Sequence, residues 1–156
     1  MTGNIKIVSY SQNLQQATVA FILNILENEF NLKNRARPDI MNISKYYQKD
    51  NRDFWLALQD KEIIGSIALK DCGEGRRYLK RMYVAKNKRG KGLAKALCDT
   101  LLQFANTRHY KTLYLATLPG MKEAIQFYEK NGFYEIDSLP RDFYPYGDTV
   151  FYRKEL

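Results

Sequence analysis

Two cysteines, one histidine and no long apolar run narrow what this 156-residue chain can be. Cys72 and Cys98 stand alone, with neither a C-x-x-C pair nor a ligand partner beside them. They read as reduced thiols of a cytoplasmic protein, not as a disulfide framework. The lone histidine, His109, excludes a multi-histidine metal site, and no metal is expected. It follows Arg108 where a helical pattern ends, so a cation there complements the dipole and the residue reads as structural or solvated. No stretch approaches the roughly 20 apolar residues of a membrane span. The opening Met1-Thr2-Gly3-Asn4-Ile5-Lys6-Ile7 alternates like a strand and lacks the apolar centre of a signal peptide. No membrane partner is expected. Repeats and linkers are missing too, and the length fits one domain over residues 1–156.

What is present describes a globular protein. Hydrophobic residues make up 45% and aromatic residues 13%, enough to build a core. The formal net charge of +8 would suit nucleic acid or an acidic surface. However, no nucleic-acid motif accompanies it, which weighs against that partner. Part of the excess gathers at Lys80, Arg81, Lys86, Lys88, Arg89, Lys91 and Lys95. That cluster points to one local anion.

The anion site is legible in the residues themselves. An apolar run ending Tyr78-Leu79-Lys80-Arg81-Met82-Tyr83-Val84 reads as a strand, and Leu93, Ala94, Leu97, Leu101 and Leu102 recur at helical spacing. Between them lie Lys88-Arg89-Gly90-Lys91-Gly92. A helix start offers N–H groups without carbonyl partners and the positive end of the dipole. Glycines at 90 and 92 let main chain approach a phosphate with no Cβ in the way. The expected ligand is a phosphate-rich cofactor.

Two familiar phosphate loops fail on residues. No G-x-x-x-x-G-K-[ST] string exists. The G-x-G-x-x-G fingerprint would start at Gly90 and Gly92, but Lys95 occupies the third glycine's place, and no acidic residue follows about 20 positions later. R-x-x-G-x-A does fit, carried by Arg89, Gly92 and Ala94.

That pattern resembles the acetyl-CoA loop of the GNAT superfamily of N-acetyltransferases, [QR]-x-x-G-x-[GA]. The preceding Leu79–Val84 run is similar to the family's fourth strand, and Ala124-Ile125-Gln126-Phe127-Tyr128-Glu129-Lys130-Asn131-Gly132-Phe133 resembles its A-x-x-[FL]-Y-x-K-x-G-F segment. The three matches come in the right order over residues 62–136.

The coarse scaffold agrees. Strands are expected at 4–9, 54–58, 63–69, 77–85, 112–117, 132–137 and 149–153. Helices are expected at 12–30 with Ser11 as N-cap, near 42–50, and at 92–108 and 120–130. Residues 59–62 read as a hairpin turn, Arg37-Pro38-Asp39 as a break, and Phe143-Tyr144-Pro145-Tyr146-Gly147 as an aromatic loop. The fold class is α/β, a mixed sheet with helices on its faces. The resemblance implies a GNAT-like, mostly antiparallel sheet of six to seven strands, splayed between the fourth and fifth.

It also implies the chemistry. An amine attacks the thioester carbonyl directly, and the thiolate of coenzyme A leaves. Backbone N–H groups of Arg89, Gly90, Lys91, Gly92, Leu93 and Ala94 would hold the pyrophosphate. Main chain of Met82, Tyr83 and Val84 would pair with the pantetheine arm and polarise the carbonyl. Tyr128 would be the general acid. A phenol of pKa about 10 is protonated at neutral pH and can donate to a thiolate whose acid has a pKa of about 8.5.

Two positions depart from the family. Met121 stands where an asparagine often contacts the cofactor, so one polar contact is lost. Tyr78 stands where the histone-acetylating branch has a glutamate base. The base is then unassigned, with Asp71, Glu74 or Glu123 able to act only through water. A lysine ε-amine of pKa about 10.4 must be deprotonated at a cost of about 4.6 kcal/mol at pH 7, an α-amine of pKa about 8 at about 1.4 kcal/mol. The acceptor therefore leans towards weakly basic amines. Phe30, Tyr46, Tyr47 and the aromatic loop are candidates to flank it, and Arg37 or Arg141 to bind a substrate carboxylate.

The expected function is acetyl-CoA-dependent acetylation of a primary amine on a small molecule or peptide. Alternatives are a protein-lysine or ribosomal-protein acetyltransferase and a non-catalytic acyl-CoA sensor. The acceptor and the oligomeric state, a homodimer among the options, stay open.

Overall fold

The structure is a computed structural model that describes residues 4–47, 53–141, 143 and 147–156. It divides into two compact units, Met1–Leu69 with Arg81–Leu101, and Lys70–Lys80 with Leu102–Leu156.

In the first unit, Ile5–Ser9 (β1) lies antiparallel to Phe54–Gln59 (β2), from Ile5 opposite Gln59 to Ser9 opposite Trp55. β2 turns into Glu62–Asp71 (β3) through Asp60 and Lys61, both left-handed at φ 50° and 69°. Two successive left-handed residues match the twist of a tight hairpin. Phe54, Leu56, Ile67, Ala68 and Leu69 are fully buried, so neither face of this hairpin meets water. That is why these runs read as continuously apolar instead of alternating.

The helix expected over 12–30 forms in three successive geometries. A 3-10 turn, Gln12–Leu14, leads into the α-helix Gln15–Leu23 (α1), which passes into a π-helical stretch, Asn24–Glu29. Thr18, Ile22, Ile25 and Leu26 are buried, the stripe a core-facing helix presents. Ser11 does not cap it. The Leu14 N–H that a cap would take is donated to Ser11's own carbonyl, and the Ser11 hydroxyl donates to the Asn13 side chain.

Pro38 opens a helix where a break was expected. Pro38–Met41 (α2) and Ile43–Tyr47 (α3) follow one another. Proline suits a first helical turn, where its missing N–H would have had no partner. Residues 48–50 of the expected helix lie outside the described residues. Gln15 ties α1 to both short helices. Its Nε2 donates to Ile40 O at 2.6 Å, and its Oε1 accepts from the Ile43 N–H at 3.2 Å and the Tyr10 hydroxyl at 2.7 Å.

Arg76–Val84 (β4) and Leu93–Thr107 (α4) come next in the chain. The second unit adds Thr112–Thr117 (β5), Lys122–Lys130 (α5), Tyr134–Ile136 (β6) and Val150–Glu155 (β7). β7 lies antiparallel to both β5 and β6. β5 takes Arg76, Arg77 and Tyr78 of β4 in parallel, opposite Thr112, Leu113 and Tyr114. Tyr78, Tyr114 and Phe143 form a buried cluster, with Phe143 at 5.3 Å from the Tyr78 ring and 4.9 Å from the Tyr114 ring. Phe143 is therefore a core residue, while Tyr144, Pro145 and Tyr146 of the expected loop lie outside the described residues. The strands form one mixed sheet in the order β1-β2-β3-β4-β5-β7-β6, with helices on its two faces, as the fold class required. No helix among the described residues is long and apolar enough to cross a membrane.

Candidate active site

The anion loop starts where β4 ends. The Ala85 N–H donates to Ile64 O at 2.9 Å and so fixes the exit of the strand. A 3-10 turn, Lys86–Lys88, follows, and Gly90 and Gly92 then take φ of 75° and 86°. A side chain there would be strained, whereas the space that a Cβ would occupy at either glycine has no atom within 4 Å. The first backbone bond onto α4 runs from the Ala96 N–H to Gly92 O at 3.0 Å. N–H groups ahead of it emerge at the helix's N-terminal end, as at any helix start. Gly90, Lys91 and Gly92 are exposed, Leu93 is buried and Ala94 half-buried. Two open glycines, outward N–H groups and nearby lysines make a cradle that fits a pyrophosphate.

Arg89 differs from the rest of the loop. Its Nε donates to Val84 O at 2.9 Å, and its two terminal nitrogens clasp the Glu29 carboxylate, Nη2 to Oε1 at 2.8 Å and Nη1 to Oε2. Its guanidinium thus ties the loop to the last residue of the π-helical stretch. Its backbone N–H donates to Lys86 O at 3.5 Å, closing the 3-10 turn.

Upstream on β4, Met82 and Tyr83 are half-buried and Val84 is 8% exposed. Arg81 just before them is left-handed at φ 53°, inside a strand. Its guanidinium donates to both oxygens of Asp39, from Nε at 2.8 Å and Nη2 at 2.7 Å, and from Nη1 to the Tyr83 hydroxyl at 3.4 Å. The Tyr47 hydroxyl donates to Asp39 Oδ2 at 2.6 Å. Burial, then the Asp39 charge, hold the Tyr47 phenol well above its ordinary pKa, so it stays a donor. Burial opposes the charge on Arg81, but Tyr83 and Asp39 outweigh it and keep the guanidinium ionised. Asp39, Tyr47 and Glu29 carry no local mark of these roles in the sequence. An acidic residue after a helix-opening proline ordinarily reads as a partner of the dipole.

Several other candidates have partners of their own. Arg37 donates to Leu32 O and Arg35 O and faces Glu27 at 3.8 Å, so it braces its own loop and is not offered to a substrate carboxylate. Asp71 is paired with Arg77 at 2.7 Å and Glu74 with Arg76 at 3.5 Å. Tyr78, where a base would stand, is packed in the aromatic cluster. Glu123 is exposed in the first turn of α5, Met121 is half-buried at its start, and Arg141 and His109 are exposed.

Tyr128 belongs to the second unit. α5 buries it to 6% exposure, with ring neighbours Phe133 at 5.6 Å, Phe127 at 6.0 Å and Tyr152 at 6.4 Å. The Tyr152 hydroxyl donates to Glu129 at 2.9 Å. Burial and that carboxylate push the Tyr152 phenol up to about 12.

Comparison with known proteins places the chain in a family. The acetyltransferase (GNAT) family model matches residues 19–133. N-acetylaspartate synthetase of Xenopus tropicalis is 34% identical over 111 residues, which cover 70% of this chain and 41% of that protein. N-acetyltransferase 8F1 of Rattus norvegicus is 35% identical over 102 residues, 62% of this chain and 46% of that protein. The chain spans less than half the length of these curated relatives. A GNAT-family acetyltransferase from Staphylococcus aureus Mu50 superposes with a TM-score of 0.93 at 32% identity, over 97% of this chain and 99% of that one. Since the family model runs unbroken from α1 through the glycine loop to the end of α5, the chain belongs to the GNAT family of acetyltransferases.

Proposed function

We propose that residues 1–156 act as one domain that transfers acetyl from acetyl-CoA to a primary amine of a small molecule or peptide. The observation that carries this reading is the strand–loop–helix cradle with two open, left-handed glycines. When bound, acetyl-CoA supplies an activated acyl group and a thiolate leaving group. The N–H groups of residues 89–94 hold its pyrophosphate. Main chain of Met82, Tyr83 and Val84 aligns the pantetheine arm, and an N–H at Val84 or its neighbour stabilises the charge that develops on the carbonyl oxygen. The amine lone pair forms the C–N bond as the C–S bond breaks. Tyr128 delivers a proton to the departing sulfur, and water, backed by Glu123, takes the proton lost by the amine.

Asp71 pairs with Arg77 and Tyr78 is packed among rings, which supports an acceptor that needs little deprotonation. One relative is named for making N-acetylaspartate, an α-acetylated amino acid, and this favours an α-amine here too. The domain is expected to work in the cytoplasm, as a monomer or homodimer. Thiol release from acetyl-CoA against pools of amino acids, polyamines, arylamines, aminoglycosides and short peptides tests the reading. Release should need an α-amine pool and fall by roughly 10²–10⁴ in Tyr128→Phe. Unchanged turnover in that variant would remove Tyr128 from the mechanism.

A further inference from the structure

The left-handed residue inside β4 calls for an explanation. A non-glycine residue at positive φ costs about 1–3 kcal/mol and persists only where its surroundings fix it. Arg81 is fixed from both ends. The Ser66 hydroxyl donates to its carbonyl at 2.7 Å, and Asp39 takes both prongs of its guanidinium at 2.8 and 2.7 Å. Tyr47 secures Asp39 in turn, and the Arg81 and Asp39 side chains are only 14% and 11% exposed. The ion pair spans 42 positions of sequence to hold one backbone angle. A left-handed residue redirects the peptide groups that follow it in a strand. Here the following residues are Met82, Tyr83 and Val84.

We propose that Arg81, clamped by Asp39 and Ser66, is a positioning residue that aims the backbone N–H groups of Met82–Val84 at the thioester carbonyl. The proposal rests on the cofactor reading given above for that segment. Arg81 touches no reacting atom. Its contribution is to the direction of a main-chain donor, and a lysine cannot replace it, because an ammonium lacks the planar fork that matches both carboxylate oxygens. Charge alone would be preserved in that exchange, and geometry would not.

Coenzyme A and acetyl-CoA differ by the acetyl group, so comparing their affinities isolates contacts to it, and the carbonyl stretch reads this donor itself. Calorimetry with each ligand is combined with the isotope-edited infrared stretch of acetyl-CoA carrying a 13C-labelled thioester carbonyl. Wild type, Arg81→Lys and Ser66→Ala are compared. Wild type should bind acetyl-CoA and move its carbonyl stretch to lower frequency. In Arg81→Lys that movement should shrink and acetyl-CoA affinity fall about tenfold, the value of one hydrogen bond, while coenzyme A affinity stays within about twofold. Ser66→Ala loosens the same turn from its other side and should act in the same direction, so the test survives if Arg81→Lys does not fold. Wild-type carbonyl frequency and affinity ratio in the folded variants would overturn the proposal. Equal loss of both ligands in Arg81→Lys, with Ser66→Ala unchanged, would reduce Arg81 to a stability role and overturn it as well. Binding of neither ligand by wild type would overturn the cofactor reading and this proposal together.

Discussion

In the first unit, Arg81 and Arg89 each give a two-pronged clasp to a carboxylate largely withdrawn from water, Asp39 at 11% and Glu29 at 21% exposure. In the second, Arg77 and Arg76 meet Asp71 and Glu74, which remain 63% and 85% exposed. Those arginines also lie over rings, Arg77 at 3.5 Å from the Tyr110 centroid and Arg76 at 5.6 Å from that of Phe143. Exposed ion pairs contribute about 0–1 kcal/mol, and a cation over a ring about as much. A buried pair is different in kind. Its desolvation must be matched by geometry, and removing one partner strands a charge. In the first unit, then, charge sets the shape of β4 and of the loop that follows it. In the second, rings pack against the arginines, and although the Arg77 side chain is only 10% exposed, the carboxylates it and Arg76 meet stay in water.

The contrast can be broken by substitution. Asp39→Ala leaves Arg81 without its carboxylate and should cost about 3–5 kcal/mol in chemical denaturation. A loss below about 1 kcal/mol would place that pair in the surface class.

A smaller effect comes from pH. The Tyr152 phenol, raised by burial and by Glu129 to about 12, keeps its proton in the folded protein where an unfolded chain would lose it near 10. Its contribution is complete below about pH 10 and disappears as pH rises towards 12, because over that window the folded state binds more protons than the unfolded one. Tyr152→Phe should flatten the alkaline arm of the stability profile, with the share due to Tyr47 remaining. An unchanged arm would remove Tyr152 from the account. Smallest of all, Glu74→Ala should change stability by less than about 1 kcal/mol. A cost equal to that of Asp39→Ala would abolish the distinction between the units.

Much of the candidate site was legible in the sequence, because its determinants are local. The helix expected at 92–108 is Leu93–Thr107, and the glycines read as enabling an unusual backbone do take positive φ. Hairpin and strand limits fell within a residue or two for the same reason. Whatever depends on long-range pairing was hidden. Glu29 looks like the polar face of an amphipathic helix, yet it meets a residue 60 positions away. Asp39 sits beside a proline that reads as a break, and nothing nearby announces Arg81 as its partner. The π-helical stretch was equally invisible, since apolar spacing at 14, 17, 21, 22, 25 and 26 is what an ordinary α-helix would show. Arg89 belongs to a motif read for its backbone N–H, and the partners of its side chain, Val84 O and Glu29, were not legible there.

Titration calorimetry of acetyl-CoA into wild type and Gly92→Asp tests the central claim most directly. A carboxylate at 92 would face the pyrophosphate and would force a side chain onto a residue at φ 86°. Strain at that φ lowers stability in the free and bound states alike, and repulsion between the carboxylate and the pyrophosphate should lower affinity on the order of 10²-fold. Wild-type affinity in Gly92→Asp would contradict the assignment of residues 89–94 as the cofactor cradle.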